Sequence, residues 1–205
     1  TYKFSPRTDL SLGMRFFNED QVFGFEVESN GDYIQTSGKG NTKDWNINPV
    51  LTHRFSERLK MIARYYSTKY QTETYLNLQS DGSLYYQDDF KQSFSRPELN
   101  AEYYFNDNNI LTVGTGYVQE TVQTSRYGDL EQREQGTLYG FFQDEWMPVE
   151  KLSVILGGRY DYNSIYGSQF SPKLSSRYEL NDKVAFKISG GVGFKAPDFR
   201  QLYFN

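Results

Sequence analysis

The strongest fold signal in this sequence is the stretch LSVILGGRYDY, residues 152–162. A strand built from it would carry, on one side, Leu152, Val154, Leu156, Gly158, Tyr160 and Tyr162 and, on the other, Ser153, Ile155, Gly157, Arg159 and Asp161. Alternation at period two predicts a β-strand with one apolar face and one polar face. Residues 170–180 and 184–195 repeat the pattern, and so do shorter stripes earlier in the chain. The sequence therefore predicts an all-β fold.

The length of these stretches indicates where the sheet lies. They predict strands of about 10 to 12 residues, close to the roughly 9 to 11 residues with which a tilted strand crosses a bilayer. Aromatic residues make up 18% of the chain, with 18 Tyr and 16 Phe, although hydrophobic residues make up only 37%. One apolar face bordered by aromatic girdles explains this composition. We therefore expect a transmembrane sheet of the bacterial outer membrane.

The predicted connections alternate between short and long. Short turns are predicted at 18–20, 56–58, 106–109, 148–151 and 181–183, and longer polar loops at 29–44, 75–92 and 125–135, with a shorter loop at 163–168. Outer-membrane barrels have short periplasmic turns and long extracellular loops. Five short turns predict about ten antiparallel strands.

Composition excludes several function classes. The net charge is −4, from 22 basic and 26 acidic residues, so no basic surface for nucleic acid is expected. The chain has no cysteine, which removes disulfides and thiolate chemistry.

No catalytic or metal-binding constellation is predicted. His53 is the single histidine, two residues before the Phe55–Ser56 turn, where it would be a polar member of an apolar stripe at the short-turn rim. The pair Asp88-Asp89 could hold a hard cation, but a solvated loop charge is the favoured interpretation. Asp144-Glu145 lies near a strand end, where Glu145 would face the polar side. We expect no enzyme activity, no metal and no cofactor.

Tyrosines in the predicted loops are candidates for ligand binding: Tyr85, Tyr86, Tyr127 and Tyr166. Tyrosine offers a flat apolar ring and a hydroxyl group, which suits capture of a small molecule. The same residues would equally serve in an interfacial aromatic belt, where Tyr and Trp lie at headgroup depth. Both interpretations stay open from the sequence.

The C-terminal third of the chain resembles a known family. Phe194-Lys195-Ala196-Pro197, followed by Leu202-Tyr203, is similar to the (F/Y)-(R/K)-A-P segment and Leu-Tyr pair of TonB-dependent receptors, especially haem, cobalamin and catecholate-siderophore transporters. The stretches FQDEW at 142–146, LGGRYD at 156–161 and FSPKL at 170–174 resemble the same barrels, in the same order and spacing. The first 135 residues match by pattern alone.

The resemblance implies a barrel of 22 strands around an N-terminal plug, of which residues 1–205 would form a partial β-barrel domain, with the plug and the remaining strands absent. It implies TonB-dependent import of a scarce nutrient such as cobalamin, a ferric siderophore or haem, with the ligand captured by extracellular loops. The partners would be TonB, acting through that plug, the nutrient chelate and the lipid bilayer, without nucleic acid. Lumen- and plug-facing residues would be Arg159, Asp161, Lys173, Arg177 and Lys195.

Two alternatives remain from the sequence. A complete small outer-membrane barrel enzyme would need a polar catalytic cluster at the long-loop end, whereas His53 is expected at the opposite end. A soluble all-β binding domain would have shorter strands and no distinction between short and long connections.

Overall fold

The computed structural model describes residues 1–29, 31–127 and 131–203. Within these ranges the chain forms ten β-strands, each antiparallel to its sequence neighbour, so the sheet order runs from β1 to β10. The strands are β1 (Tyr2–Ser5), β2 (Thr8–Ser29), β3 (Asp32–Arg54), β4 (Leu59–Leu78), β5 (Leu84–Asn106), β6 (Asn109–Thr124), β7 (Arg133–Val149), β8 (Leu152–Asn163), β9 (Gly167–Asn181) and β10 (Val184–Gly191). A short 3-10 helix (Ser125–Tyr127) follows β6, and helix α1 (Phe199–Tyr203) follows β10. The predicted all-β class and the antiparallel strand count are confirmed.

The register of the sheet assigns its two faces. Leu156 in β8 lies opposite Leu174 in β9, and Leu174 lies opposite Gly190 in β10. Leu156 and Leu174 expose 49% and 53% of their surface. Contiguous apolar surface of this kind marks a lipid or protein contact. We call the side that carries Leu156 and Leu174 the apolar face, and the opposite side the polar face.

Two rows of exposed aromatic side chains border the apolar face. The row nearer the short turns, here the inner belt, contains Tyr103, Trp146 and Tyr178. The row farther from them, here the outer belt, contains Phe16, Trp45, Tyr65 and Tyr117. Aromatic rows at both edges of an apolar band are the pattern of a barrel wall in a bilayer. The band between the belts is therefore the membrane-spanning part of the sheet.

The strands are longer than predicted, and the long loops are correspondingly shorter. Strands β2 to β5 contain 20 to 23 residues. Most of 29–44 and of 75–92 is strand, and the shorter loop predicted at 163–168 is confined to 164–166. Residues 30 and 128–130 of the predicted loops lie outside the described residues. The prediction failed because beyond the membrane both faces meet water, so the alternation disappears while the backbone ladder continues.

One predicted short turn is wrong. Asn18-Glu19-Asp20 lies inside β2, opposite Lys43, Thr42 and Asn41 of β3. The first connection is instead at Pro6-Arg7, between β1 and β2. The polar run at 18–20 lies just past the outer belt, and its composition imitated a turn. The other four predicted turns fall at the β3–β4, β5–β6, β7–β8 and β9–β10 connections.

Candidate functional site

The predicted lumen-facing residues of β8 and β9 share one face of the sheet. Arg159 lies opposite Ser171, Asp161 opposite Gln169, and Lys173 opposite Gly157, so all of them belong to the polar face. Arg177, opposite Ser153, lies on the same side. Lys195 follows β10 in the segment that leads to α1, so no strand register assigns it to a face.

One hydrogen-bonded cluster on the polar face centres on Tyr139 of β7, which is 2% exposed. Its hydroxyl donates a hydrogen bond of 2.6 Å to Oε2 of Glu98, and the guanidinium of Arg159 lies 3.8 Å from the centre of its ring. Arg159 in turn donates through Nε and Nη2 to the Asp161 carboxylate, at distances from 2.6 to 3.0 Å. A buried aromatic ring thus fixes one acid and one base on the polar face.

Glu98 has further partners that hold it in place. Asn100 Nδ2 donates to Glu98 Oε1 at 3.0 Å, and Arg64 lies 3.7 Å from the same oxygen. Gly116 lies directly against the Tyr139 hydroxyl, because a Cβ added there would be 2.4 Å from that oxygen. The cluster therefore depends on a glycine that leaves room for the ring.

Two similar clusters occur elsewhere on the polar face. Lys60 Nζ donates to both carboxylate oxygens of Glu102, at 3.0 and 2.9 Å, and Tyr104 donates to Glu102 at 2.8 Å. Arg15 forms an ion pair with the buried Asp44, which also accepts from Thr68 at 3.3 Å. Paired, hydrogen-bonded charges of this kind have a fixed geometry, which a contacting surface can match.

Helix α1 lies against the polar face at the end remote from the short turns. Phe199 is buried, and a cavity of about 420 Å3 separates it from the sheet. The cavity is lined by Phe90, Glu120, Val122, Arg126, Tyr127 and Arg200, among others. Asp198 and Gln201 form a reciprocal capping box, with bonds of 2.8 and 3.1 Å between side chain and backbone. The segment from Phe194 to Tyr203, here the family-like segment, thus folds back over the sheet.

The 3-10 helix is anchored by a buried acid. Asp88 is 4% exposed, forms an ion pair with Arg126, and accepts a hydrogen bond of 3.1 Å from Ser125 Oγ. The hydrogen bond that the Arg126 guanidinium donates to Asp88 raises the pKa of Arg126. Burial raises the pKa of Tyr127 above its ordinary value, and the Asp198 carboxylate adds to the shift. The predicted solvated loop charge at Asp88 is therefore wrong, because β5 extends to Leu84 and turns Asp88 towards the 3-10 helix.

The structure does not gather the four candidate tyrosines into one site. Tyr85 and Tyr86 lie inside β5, so their placement in a loop is wrong, although they stay at the end of the sheet remote from the short turns. Tyr127 lies in the 3-10 helix, 6.0 Å from the Tyr203 ring, and Tyr166 lies 5.5 Å from the Phe194 ring. Two of the four therefore contact the family-like segment.

Sequence reasoning missed the residues that organise the site. Tyr139, Glu98 and Phe199 were not singled out, and Arg126 was passed over. Only Tyr139 carried a usable signal, since it shares the parity of the polar residues Gln143 and Glu145 in its strand. The partner of each residue lies on another strand, which a linear pattern does not reveal.

His53 and Glu145 contact neighbouring side chains of the sheet. His53 lies on the apolar face near the short turns, with Nδ1 2.8 Å from Thr8 Oγ1 and its ring 4.4 Å from that of Phe55. Glu145 lies on the polar face and accepts from Gln143 at 2.8 Å. In the part of the chain that the structure describes, no group of three or more His, Cys, Asp or Glu side chains could hold a metal ion.

The helices of the described ranges are too short, and not apolar enough, to cross a membrane.

An antiparallel sheet with one belted apolar face and one charged face defines the wall of an outer-membrane barrel. The family model for the β-barrel of TonB-dependent receptor-like proteins matches residues 1–205, and the chain belongs to this family.

Relatives of known name match parts of the chain. A region of 63 residues, 31% of the chain and 10% of the relative, is 38% identical to the iron-regulated outer membrane virulence protein of Vibrio cholerae. A region of 120 residues, 49% of the chain and 15% of the relative, is 31% identical to the probable TonB-dependent siderophore receptor PirA of Acinetobacter baumannii. The matched regions are thus a small part of each relative.

A solved structure shares the fold. A mutant of the ferric enterobactin receptor from Pseudomonas aeruginosa superposes with a TM-score of 0.52 at 13% identity, over 98% of this chain and 46% of that one. The chain thus spans about half the length of that receptor, and the likeness concerns the fold alone.

Proposed function

We propose that this chain is part of the barrel wall of a receptor that imports a ferric siderophore across the outer membrane with energy from TonB. The observation that carries the proposal is the set of paired charges on the polar face, opposite a belted apolar face. Similarity to the probable siderophore receptor of Acinetobacter baumannii and to the iron-regulated protein of Vibrio cholerae supports an iron chelate as the cargo.

The polar face would line the lumen and contact a plug domain. Arg159 and Asp161, held by Tyr139, and Arg177, paired with Glu179, offer charges of fixed geometry, and Lys173 adds a charge on the same face. Charged side chains facing lipid at mid-bilayer cost about 2 to 4 kcal/mol, whereas charges towards the lumen are tolerated. Lys195 would add a charge where the segment before α1 leaves the sheet. TonB would act through the plug, and the barrel wall would hold the plug in position.

Ligand capture would take place at the end remote from the short turns. Tyr127 and Tyr166, with Tyr85 and Tyr86 at the next hairpin, offer ring faces and hydroxyl groups at this end. Arg200 borders the cavity beneath α1 together with Arg126, which is paired with Asp88, and would contact an anionic group of the chelate. Release on the other side requires motion and no covalent chemistry, so we propose a transporter and not an enzyme.

Calorimetry on the full-length receptor tests the cargo. Ferric catecholate, cobalamin and haem are titrated in separate experiments, and saturable binding of the ferric catecholate alone is expected. Tyr127→Ala should weaken that binding, whereas the matched Tyr117→Ala on the apolar face should not. Binding of cobalamin or haem with no response to the ferric catecholate would overturn the proposed cargo.

A further inference from the structure

The segment that follows β10 crosses several strands of the polar face. It leaves the sheet after a hydrogen bond of 3.0 Å from the Val192 amide to the Pro172 carbonyl of β9, and it ends in α1, above β5 and β6. Because β6 and β10 are four strands apart in the sheet, the distance along the sheet is about 19 Å. Residues 192–198 span at most about 25 Å when fully extended, so the crossing leaves little slack. We call residues 192–198 the strap.

One side chain anchors α1 to the sheet. Of residues 191–200, all of which the structure describes, Phe199 alone is buried. A second contact is made by the Tyr203 ring, which lies 6.0 Å from the Tyr127 ring and 5.6 Å from the guanidinium carbon of Arg133. The Phe199 and Tyr203 rings stack on each other one helical turn apart, 5.9 Å between their centres. The attachment of α1 to the sheet is therefore mainly aromatic.

The hydrogen bonds of α1 are internal. Asp198 and Gln201 bond to each other's backbone amides, and the Leu202 amide donates to the Asp198 carbonyl at 3.1 Å. Among the described residues, no hydrogen bond or ion pair joins α1 to the sheet. Lifting α1 would therefore expose the Phe199 ring without leaving a backbone group of the helix unpaired.

Helix α1 covers the cavity in which we place ligand capture. The sheet side of that cavity, of about 420 Å3, includes Phe90, Val122 and Tyr127, and the α1 side includes Phe199 and Arg200. A ligand that contacts the sheet side has to pass α1. At Gly193, near the start of the strap, an added Cβ would have no atom within 4 Å, so this part of the strap has room to turn.

We propose that the strap and α1 form a latch: Phe199 holds the capture cavity closed, and the ferric chelate enters when α1 lifts off the sheet. This inference rests on the proposed function, because it describes access to the same cavity. Burial of one phenyl ring favours the closed form on the order of 10- to 100-fold. The apparent affinity for the chelate is then reduced by the fraction of receptors that are open. The strap keeps α1 close to the cavity, so the latch can close again after the chelate has left.

The first test removes the anchor. Calorimetry with the full-length receptor in detergent measures binding of a ferric tris-catecholate. Phe199→Ala should bind this chelate on the order of tenfold more tightly than the wild type, because opening no longer exposes a buried ring. Phe186→Ala removes the same ring from the apolar face of β10 and should bind as the wild type does. Weaker or unchanged binding by Phe199→Ala would overturn the latch.

The second test holds α1 on the sheet. Arg133 and Tyr203 contact each other and do not line the cavity, and residues 1–205 contain no cysteine. The double variant Arg133→Cys, Tyr203→Cys is measured before and after its thiols are joined by a short bismaleimide. The joined form should bind the ferric tris-catecholate at least roughly tenfold more weakly, whereas the reagent should not change binding by Arg133→Cys alone. Equal binding by the joined and unjoined forms would contradict the proposal.

Hydrogen exchange separates the latch from the identity of the cargo. Without any chelate, the Leu202 amide should exchange faster in Phe199→Ala than in the wild type, because its hydrogen bond to the Asp198 carbonyl depends on a docked α1. Unchanged exchange at Leu202 would show that Phe199 does not anchor α1. Faster exchange in a receptor that binds no ferric catecholate would support the latch and overturn the proposed cargo.

Discussion

The assignment of faces can be tested at one adjacent pair of residues in β10. Ile188 is 76% exposed on the apolar face, opposite Ser176, and Ser189 lies on the polar face, opposite Ser175. The two residues lie at nearly the same depth, because they are neighbours in one strand. The substitutions Ile188→Arg and Ser189→Arg therefore differ mainly in the side of the wall that receives the charge.

The expected difference is large. An arginine facing lipid costs about 2 to 4 kcal/mol at the bilayer midplane and about 0 to 1 kcal/mol at the interfaces. Ile188 lies one register step inside the inner-belt residue Tyr178, so we expect a cost of about 2 kcal/mol, roughly a 30-fold change in the folding equilibrium. An arginine on the polar face stays in contact with water. It meets Lys187 two residues away, and we expect an effect of about 1 kcal/mol or less from this exposed like-charge pair.

The unfolding midpoint of both variants is measured in urea, with the full-length receptor in lipid vesicles. Heat-modifiable gel mobility reports the folded fraction. Ile188→Leu is the control for shape at the apolar position. We expect the unfolding midpoint to fall strongly for Ile188→Arg and to change little for Ser189→Arg and Ile188→Leu. Equal midpoints for the two arginine variants would refute the assignment of the faces.

Three further predictions concern the polar side of the sheet. Tyr139→Phe should lower the free energy of unfolding by about 1.5 to 3 kcal/mol, because Glu98 loses a hydrogen bond to a charged group; unchanged urea unfolding would contradict this. Gly116→Ala should cost about 1 to 3 kcal/mol by overpacking against the Tyr139 hydroxyl, and the double variant with Tyr139→Phe should recover part of the loss if that contact is the cause. Asp88→Asn should free the 3-10 helix, and hydrogen exchange of the Arg126 amide should accelerate while exchange in the membrane band stays constant.

The charged side chains of the polar face are arranged in ion pairs. The acids of the polar face that hold Arg15 and Lys60 are themselves fixed by hydrogen bonds from Thr68 and Tyr104. Paired charges suit a contact with another folded domain.

The sequence by itself determined which residues share a face within the membrane band. Alternation in Leu152–Tyr162 is a local property of an extended chain, since successive side chains point to opposite sides whatever the partner strand is. Four of the five predicted turns could be predicted correctly for a similar reason, because short polar connections interrupt the apolar stripe. The extent of a strand could be predicted from the sequence only where one face meets lipid and the other meets water.

Only the tertiary structure decided the contacts between strands. The polar run at 18–20 became strand because β3 supplies its backbone partners, which composition does not report. Glu98, Tyr139 and Arg159 are far apart in the chain and meet only through the register of neighbouring strands. Register sets this cluster, and register is a property of the paired strands together.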